Sequence, residues 1–396
     1  MSGGVLEGIR VLDFGRYVAG PYCATLLGYL GAEVIRVEKR EGSEDRFIAP
    51  LTPTGDGAVF MQTSCNKKSL TLEPTTPEGR EVTRRLVGVS DVIVANLPPA
   101  SLRAMGLDYE SVTAVRPDAI LVTQTAFGAT GPYANRGGFD GIGQAMSGAM
   151  YITGTPGSPA KAAAPYVDYT TAVLSAFGTL AALIERGKSG RGQRVDATLL
   201  GTALAVFNSH LVEQSVTGIG RQGSGNRVQT SAPSDVFATT DGHVLLHVVG
   251  NGLFRRWARL MGDEERWLSD PRFTTDQSRG DHSMPILERT RAWCALRSTA
   301  QAIAELEKAG LPAGPVYTPQ QALEDPQVQA MAFLKPVHYP GLPRDALVAD
   351  LPVALSRTPG GIRQPPPRLG EHTDEILSSL GYDAADIARL RANGIV

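Results

Sequence analysis

Residues 9–38, IRVLDFGRYVAGPYCATLLGYLGAEVIRVE, decide the fold class. Ile9–Phe14 is a short apolar run closed by glycine, which predicts a buried strand. The loop GRYVAGP follows, and a helix is expected from Pro21 to about Tyr29. Proline suits the first helical position, where the missing N–H would have no partner anyway. Gly31 stops the helix, and Glu33–Glu38 returns as a second strand. Working outward, strands are predicted at Ser69–Leu72, Asp91–Ala95 and Ala119–Thr123, with helices at Pro77–Val87 and Tyr109–Val115 between them. Strands separated by helices of this length need crossover connections, so the expected class is α/β with a parallel, doubly wound sheet. Ligands of such sheets bind at the carboxyl ends of the strands.

From Gly137 to about Gln214 the pattern turns helical and rich in Gly, Ala and Ser, ending in VDATLLGTALAVFNSHL. GIGRQGSGNR (218–227) reads as a linker or mobile loop. Val236–Thr239 and His243–Val249 flank an Asp-Gly turn and predict a hairpin, and Pro233 to about Pro319 reads as a second, smaller α/β domain. A chain of 396 residues exceeds what one hydrophobic core usually serves, so two domains are expected.

Composition narrows the function. The 38 Lys+Arg against 40 Asp+Glu leave a net charge of −2, without the basic excess of a polynucleotide binder. The three cysteines, Cys23, Cys65 and Cys294, are scattered, so neither a disulfide framework nor a thiolate zinc site is expected. No signal-like start or unbroken apolar run of ~18 residues is present, and a cytoplasmic protein is the expectation. The loop after the first strand lacks G-x-G-x-x-G, no G-x-x-x-x-G-K-[ST] or G-x-S-x-G occurs, and the six histidines show no H-E-x-x-H spacing. Arg36, Lys39, Arg40, Lys67 and Lys68 cluster near strand ends, as solvated termini or as a site for a nucleotide's phosphates. Asp168, in PYVDYTTAVL, stands just before a long apolar helix. It reads either as an N-cap or as an ionised carboxylate able to attack an activated acyl group. Spacing does not choose between them.

The motifs together resemble the class III CoA-transferases, the family of formyl-CoA transferase and carnitine-CoA transferase. The resemblance runs head to tail through LDFGRYVAGPYCATLLGYLGAEVIRVE (12–38), CNKKSLTLEPTTPEGREV (65–82), FGATGPYANRGGFDGIGQAMSG (127–148), VDYTTAVLSAFGTLAALIERGKSGRGQRVDATL (167–199) and LGEHTDEIL (369–377). It implies a Rossmann-like large domain (1–215 and 330–396), interrupted by linkers and a small domain (216–329), in a homodimer of interlocked rings. It also implies that coenzyme A is a substrate moiety and that no cofactor or metal is tightly bound. In the reaction it implies, Asp168 takes the acyl group of an acyl-CoA as an anhydride, then carries CoA as an aspartyl thioester, then passes it to a free carboxylic acid. Texture closer to the dicarboxylate transferases suggests succinyl-CoA as donor and a C4–C6 dicarboxylic acceptor.

The resemblance assigns CoA contacts to Val18 and Ala19, Lys39, Leu72, Glu73, Pro74 and Thr75, Asn96, Leu97 and Pro98, and Arg103 and Arg136. The last two depart from the formyl branch: Ala104 stands where that branch has Arg, with Arg103 before it, and Arg136 sits one position early. Gln144 matches an active-site Gln, and Gly250, Asn251 and Gly252 match a mobile glycine loop over the aspartyl intermediates. Two rivals share the fold. The α-methylacyl-CoA racemases need a His where this chain has Phe139, in Gly138-Phe139-Asp140, and Phe moves no proton. A catalytically silent CoA-binding protein has no use for Asp168.

Overall fold

The computed structural model describes residues 4–396. The chain divides into two compact units, one formed by residues up to 149, 162–216 and 329–396, the other by 150–161 and 217–328.

The first unit opens with β1 (Arg10–Asp13), α1 (Ala19–Tyr29), β2 (Glu33–Glu38), α2 (Ala58–Thr63) and β3 (Lys67–Thr71). It continues with α3 (Pro77–Gly88), β4 (Val92–Ala95), α4 (Pro99–Met105), α5 (Tyr109–Val115) and β5 (Ile120–Thr125). Then follow α6 (Asp140–Met146), α7 (Ala149–Thr153), which apart from Ala149 belongs to the second unit, the 24-residue α8 (Tyr166–Ser189), β6 (Arg194–Thr198), α9 (Leu199–Val206) and α10 (Asn208–Thr217). Six strands pair in parallel in the order β3-β2-β1-β4-β5-β6. Side chains alternate between two buried faces. Leu12, Ile35, Leu70, Ile93 and Leu121 meet α3, α5 and the helices Thr373–Ser379 and Ala384–Ala392. Val11, Val34, Val92, Val94, Ile120 and Val122 meet α1 and α8. A sheet covered on both faces explains the near-continuous apolar runs.

Three differences from the sequence reading are informative. Pro21 is the third residue of α1, not the first, because the helix begins at Ala19; no N–H partner is lost in the first turn in either case. The edge strand β6 falls inside a segment read as helical. RVDAT is only half covered, so it lacks the apolar signature of its neighbours. Finally, α8 is long and apolar enough to cross a membrane by length and composition. In the fold its Ala172, Ala176 and Ala182 pack in the layer with α1, while Val173, Leu174, Phe177 and Ile184 stay exposed.

The S-G-R-G-Q stretch has a local cause. Gly190 ends α8 in the left-handed region at φ 70°, and a Cβ on Gly192 would lie 2.0 Å from the Ala119 carbonyl oxygen. The chain can therefore turn tightly from α8 into β6 only with glycine at both positions.

The second unit holds β7 (Ser234–Ala238) and β8 (His243–His247), antiparallel as a hairpin, with β9 (Ala313–Pro315) beside β8. Its core gathers Phe237, Leu246, Phe254, Trp257, Trp267 and Trp293, several of them from α11 (Asn251–Met261) and the helices after it. The chain then re-enters the first unit through the antiparallel pair β10 (Leu334–Val337) and β11 (Ala346–Ala349).

Candidate active site

Strand order reverses between β1 and β4, which opens a crevice at their carboxyl ends where doubly wound sheets bind ligands. The two loops leaving that point are tied together. Arg16 N donates to Asn96 Oδ1 at 2.6 Å, and Asn96 Nδ2 donates to the Arg16 carbonyl at 2.8 Å. Asp13, fully buried at the end of β1, accepts from Gly15 N through Oδ1 (2.9 Å) and from Lys67 Nζ through Oδ2 (2.7 Å). Lys67 Nζ also donates to the Pro21 carbonyl at 2.7 Å. These bonds hold Tyr17 at φ 60°, a sparsely populated region for a non-glycine residue. They also set Val18 and Ala19 at the N-terminus of α1, whose open N–H groups favour an anion.

Beneath this edge lies a buried ionic network. Arg36 meets Asp45 at 2.5 Å, Glu38 at 3.5 Å and Asp13 at 3.7 Å, while Arg46 meets Glu38 at 2.6 Å and Asp56 at 2.8 Å and lies over the Phe60 ring. Burial alone would raise the Glu38 carboxyl, but Arg36 and Arg46 overcome it and hold it down at about 2. Asp13 is likewise lowered, with Lys67 and Arg36 outweighing burial. The phosphate-site reading of Arg36 and Lys67 is therefore corrected: both are buried and spent on carboxylates. Lys68 pairs with Glu33 and Glu375.

Asp168 is not the N-cap of its helix. The helix starts at Tyr166, with Pro165 before it making no side-chain cap, and Asp168 lies in the first turn. The capping acceptor comes from 28 residues upstream: Asp140 Oδ1 accepts from Val167 N at 2.7 Å and from Asp168 N at 3.2 Å. Asp140 Oδ2 accepts from Gln144 Nε2 at 2.5 Å, and Gln144 Oε1 accepts from Ala162 N at 3.0 Å. Asp140 is thus saturated, whereas no hydrogen bond among the described residues reaches the carboxylate oxygens of Asp168. Asp168 is 9% exposed. Burial, and secondarily the Asp140 charge, push its carboxyl up from 3.8 to about 7. A carboxylate so destabilised is more basic, and hence more nucleophilic, than one in water.

The other sequence candidates distribute as follows. Asn96, Leu97 and Pro98 form the loop after β4, and Arg103 projects, exposed, from α4. Leu72, Glu73, Pro74 and Thr75 follow β3, with Leu72 and Pro74 buried and Thr75 exposed. Lys39, past the end of β2, pairs with Glu44. Arg136 is exposed and stacks over the Tyr133 ring at 4.1 Å. Gln144 is buried in α6. Gly250, Asn251 and Gly252 belong to the second unit, where Gly250, at φ 85°, is the N-cap just before α11. There the turn is anchored: Gly250 N donates to both Asp276 oxygens (2.9 and 2.8 Å), and Arg279 Nη1 donates to Asn251 Oδ1 at 3.0 Å.

Sequence reasoning missed the role of Asp140, noted only as part of Gly-Phe-Asp. It also missed Asp13, Glu38, Asp45 and Asp56 as counter-ions of the buried bases. A charged residue inside an otherwise apolar strand, as in LDF and VIRVE, is the signal that could have flagged Asp13 and Glu38; Asp45 and Asp56 lie outside the strands and carry no such signal. Beside Asp140, the Phe139 ring is 60% exposed and meets the Tyr17 ring edge-on at 5.2 Å.

The family model "CoA-transferase family III" matches residues 6–373. The chain is 36% identical over 395 residues to a succinyl-CoA–D-citramalate CoA-transferase of Chloroflexus aurantiacus, covering 99% of this chain and 98% of that protein. It is 34% identical to a succinate–glutarate CoA-transferase of Agrobacterium fabrum, covering 95% of each. Among solved structures, a CaiB/BaiF family protein from Brucella suis superposes with a TM-score of 0.84 at 32% identity, covering 96% of this chain and all of that one.

Proposed function

The chain belongs to CoA-transferase family III, and from that membership we propose that it moves CoA from succinyl-CoA to a second C4–C6 dicarboxylate through covalent intermediates on Asp168. The observation that carries the mechanism is Asp168 itself, a buried carboxyl with no hydrogen bond on its oxygens among the described residues, beside an Asp140 bonded through both oxygens. A carboxylate oxygen of Asp168 attacks the thioester carbonyl, the C–S bond breaks, and CoA thiolate leaves a mixed anhydride. The thiolate then attacks the side-chain carbonyl carbon of Asp168, the anhydride C–O bond breaks, and succinate departs. The acceptor carboxylate attacks the aspartyl thioester and expels thiolate. Attack of that thiolate on the acceptor's acyl carbon yields the new CoA ester and frees Asp168. Each step exchanges one bond for one bond, and no proton need move. Burial keeps water from the anhydride.

Coenzyme A, as substrate, would lie across the crevice on Val18, Ala19, Asn96, Leu97 and Pro98, with Lys39, Arg103, Arg136 and residues 72–75 toward its nucleotide. Gln144 would face the aspartyl intermediates. The exposed apolar face of α8 (Val173, Leu174, Phe177, Ile184) supports a self-associated protein, the interlocked homodimer of the family. Incubation with succinyl-CoA and hydroxylamine, followed by peptide mass spectrometry, should place a hydroxamate on Asp168. Transfer without that modification sinks the covalent mechanism. A panel of free acids against succinyl-CoA should favour dicarboxylates over monocarboxylates of equal length. Phe139 offers no proton-transferring group, so deuterium exchange at the α-carbon of a 2-methylacyl-CoA should be absent.

A further inference from the structure

Around the carboxyl ends of β1 and β2 stand six basic residues: Arg16, Arg36, Lys39, Arg40, Arg46 and Lys67. Four of them are paired with carboxylates, as described. No ion pair among the described residues includes the other two, of which Arg40 is exposed on the surface and the second is the half-buried Arg16. Its guanidinium is nevertheless held. Nη1 donates to three carbonyls, those of Phe14 (3.2 Å), Gly15 (2.9 Å) and Val37 (3.4 Å), which fixes the group against both strand ends. Its backbone is clamped on both sides by Asn96. No hydrogen bond among the described residues uses Nε or Nη2. Those two N–H groups form the side edge of the guanidinium, which matches two oxygens of a carboxylate or phosphate. The residue that follows, Tyr17, holds its left-handed φ of 60°, the kind of local strain found where a loop is shaped for a ligand.

We propose that Arg16 is an oxyanion-binding residue of the substrate site, taking two oxygens of one anionic group on its Nε–Nη2 edge. Burial and the neighbouring Arg36 lower its proton affinity, a cost that a bound anion relieves. The proposal rests on the transferase reading for the identity of the ligands. Two groups supply the chemistry: a phosphate of CoA and the carboxylate of a dicarboxylic acid.

Isothermal calorimetry on the intact protein separates them. Arg16→Met removes the guanidinium, and Arg16→Lys keeps a cation able to reach the carbonyls but lacks the two-pronged edge. If phosphate is the ligand, both variants should bind CoA at least ~10-fold more weakly, with pantetheine and glutarate unchanged. If the carboxylate is the ligand, glutarate should weaken by that factor and CoA should not. Either selective loss, with melting temperatures within a few degrees of wild type, supports the assignment. Unchanged affinities overturn it, as does an equal weakening of CoA, pantetheine and glutarate, which would mean that Arg16 only shapes the loop. Should Arg16→Met fail to fold, Arg16→Lys alone decides between these outcomes. Calorimetry reads binding without turnover, so absence of the Asp168 hydroxamate would fell the covalent mechanism and leave this assignment standing.

Discussion

Replacing Asp168 by Asn should make the protein more stable while abolishing its chemistry. The asparagine amide is close in shape to a protonated carboxyl and carries no charge at any pH. In the wild-type fold the Asp168 carboxyl is pushed from 3.8 to about 7, chiefly by burial. The sign follows from linkage: the folded state holds a proton that the unfolded state releases near pH 4. The stabilisation from that proton is complete below the unfolded value and fades as pH rises toward 7. At ~1.4 kcal/mol per tenfold change in proton affinity the full cost of burying this group is ~4 kcal/mol, and relaxation of the partly open site reduces it to roughly 2–4 kcal/mol. Asp168→Asn escapes that cost. By differential scanning calorimetry it should melt roughly 2–5 °C above wild type near pH 8. The gap should shrink to less than half near pH 5 and vanish below pH 4. Equal melting temperatures near pH 8, or a gap independent of pH, would refute the claim that burial disfavours the ionised form of this carboxyl.

Two further perturbations probe the groups around it. Asp140→Ala removes the acceptor for Val167 N and Asp168 N and the partner of Gln144, so α8 should lose ~1–2 kcal/mol of capping. Removal of the Asp140 charge should also lower the Asp168 carboxyl, moving the acid limb of the pH–rate profile to lower pH. An unmoved limb would separate the two aspartates. Lys67→Met leaves Asp13 buried with one fewer cation and frees the Pro21 carbonyl, which should cost about 3–5 kcal/mol in urea unfolding. A loss under 1 kcal/mol would mean that the Asp13–Lys67 pair is no better than its surface equivalents.

What could be read from sequence alone follows physical lines. The segment β1–α1–β2 was legible because its strands are buried on both faces and its turns carry Gly and Pro. The edge strand β6 was not, since a half-covered RVDAT satisfies no apolar period. Arg36 and Lys67 look like surface charge until Asp45, Asp13 and Glu38 are placed beside them, and Asp13 lies 54 residues from Lys67. Asp168 was singled out by position and motif, but the carboxylate that caps its helix sits 28 residues away in a different element. Pairings across such separations exist only once the chain has folded.

The interruption of the first unit bears on how the chain is made. Ile376, Leu377, Ile387, Leu390 and Val396 belong to the same hydrophobic cluster as Leu12, Ile35 and Leu121, and Glu73 N donates to the Ile395 carbonyl at 2.7 Å. One face of the sheet therefore lacks part of its cover until residues beyond 376 leave the ribosome. From β6 onward that delay is on the order of 10–40 s at typical elongation rates. During it the second unit, contiguous from 217 to 328, can complete its own core. The nascent sheet meanwhile waits with Leu12, Ile35 and Leu121 partly bare, so this apolar face stays open to non-native contacts until the last two helices arrive.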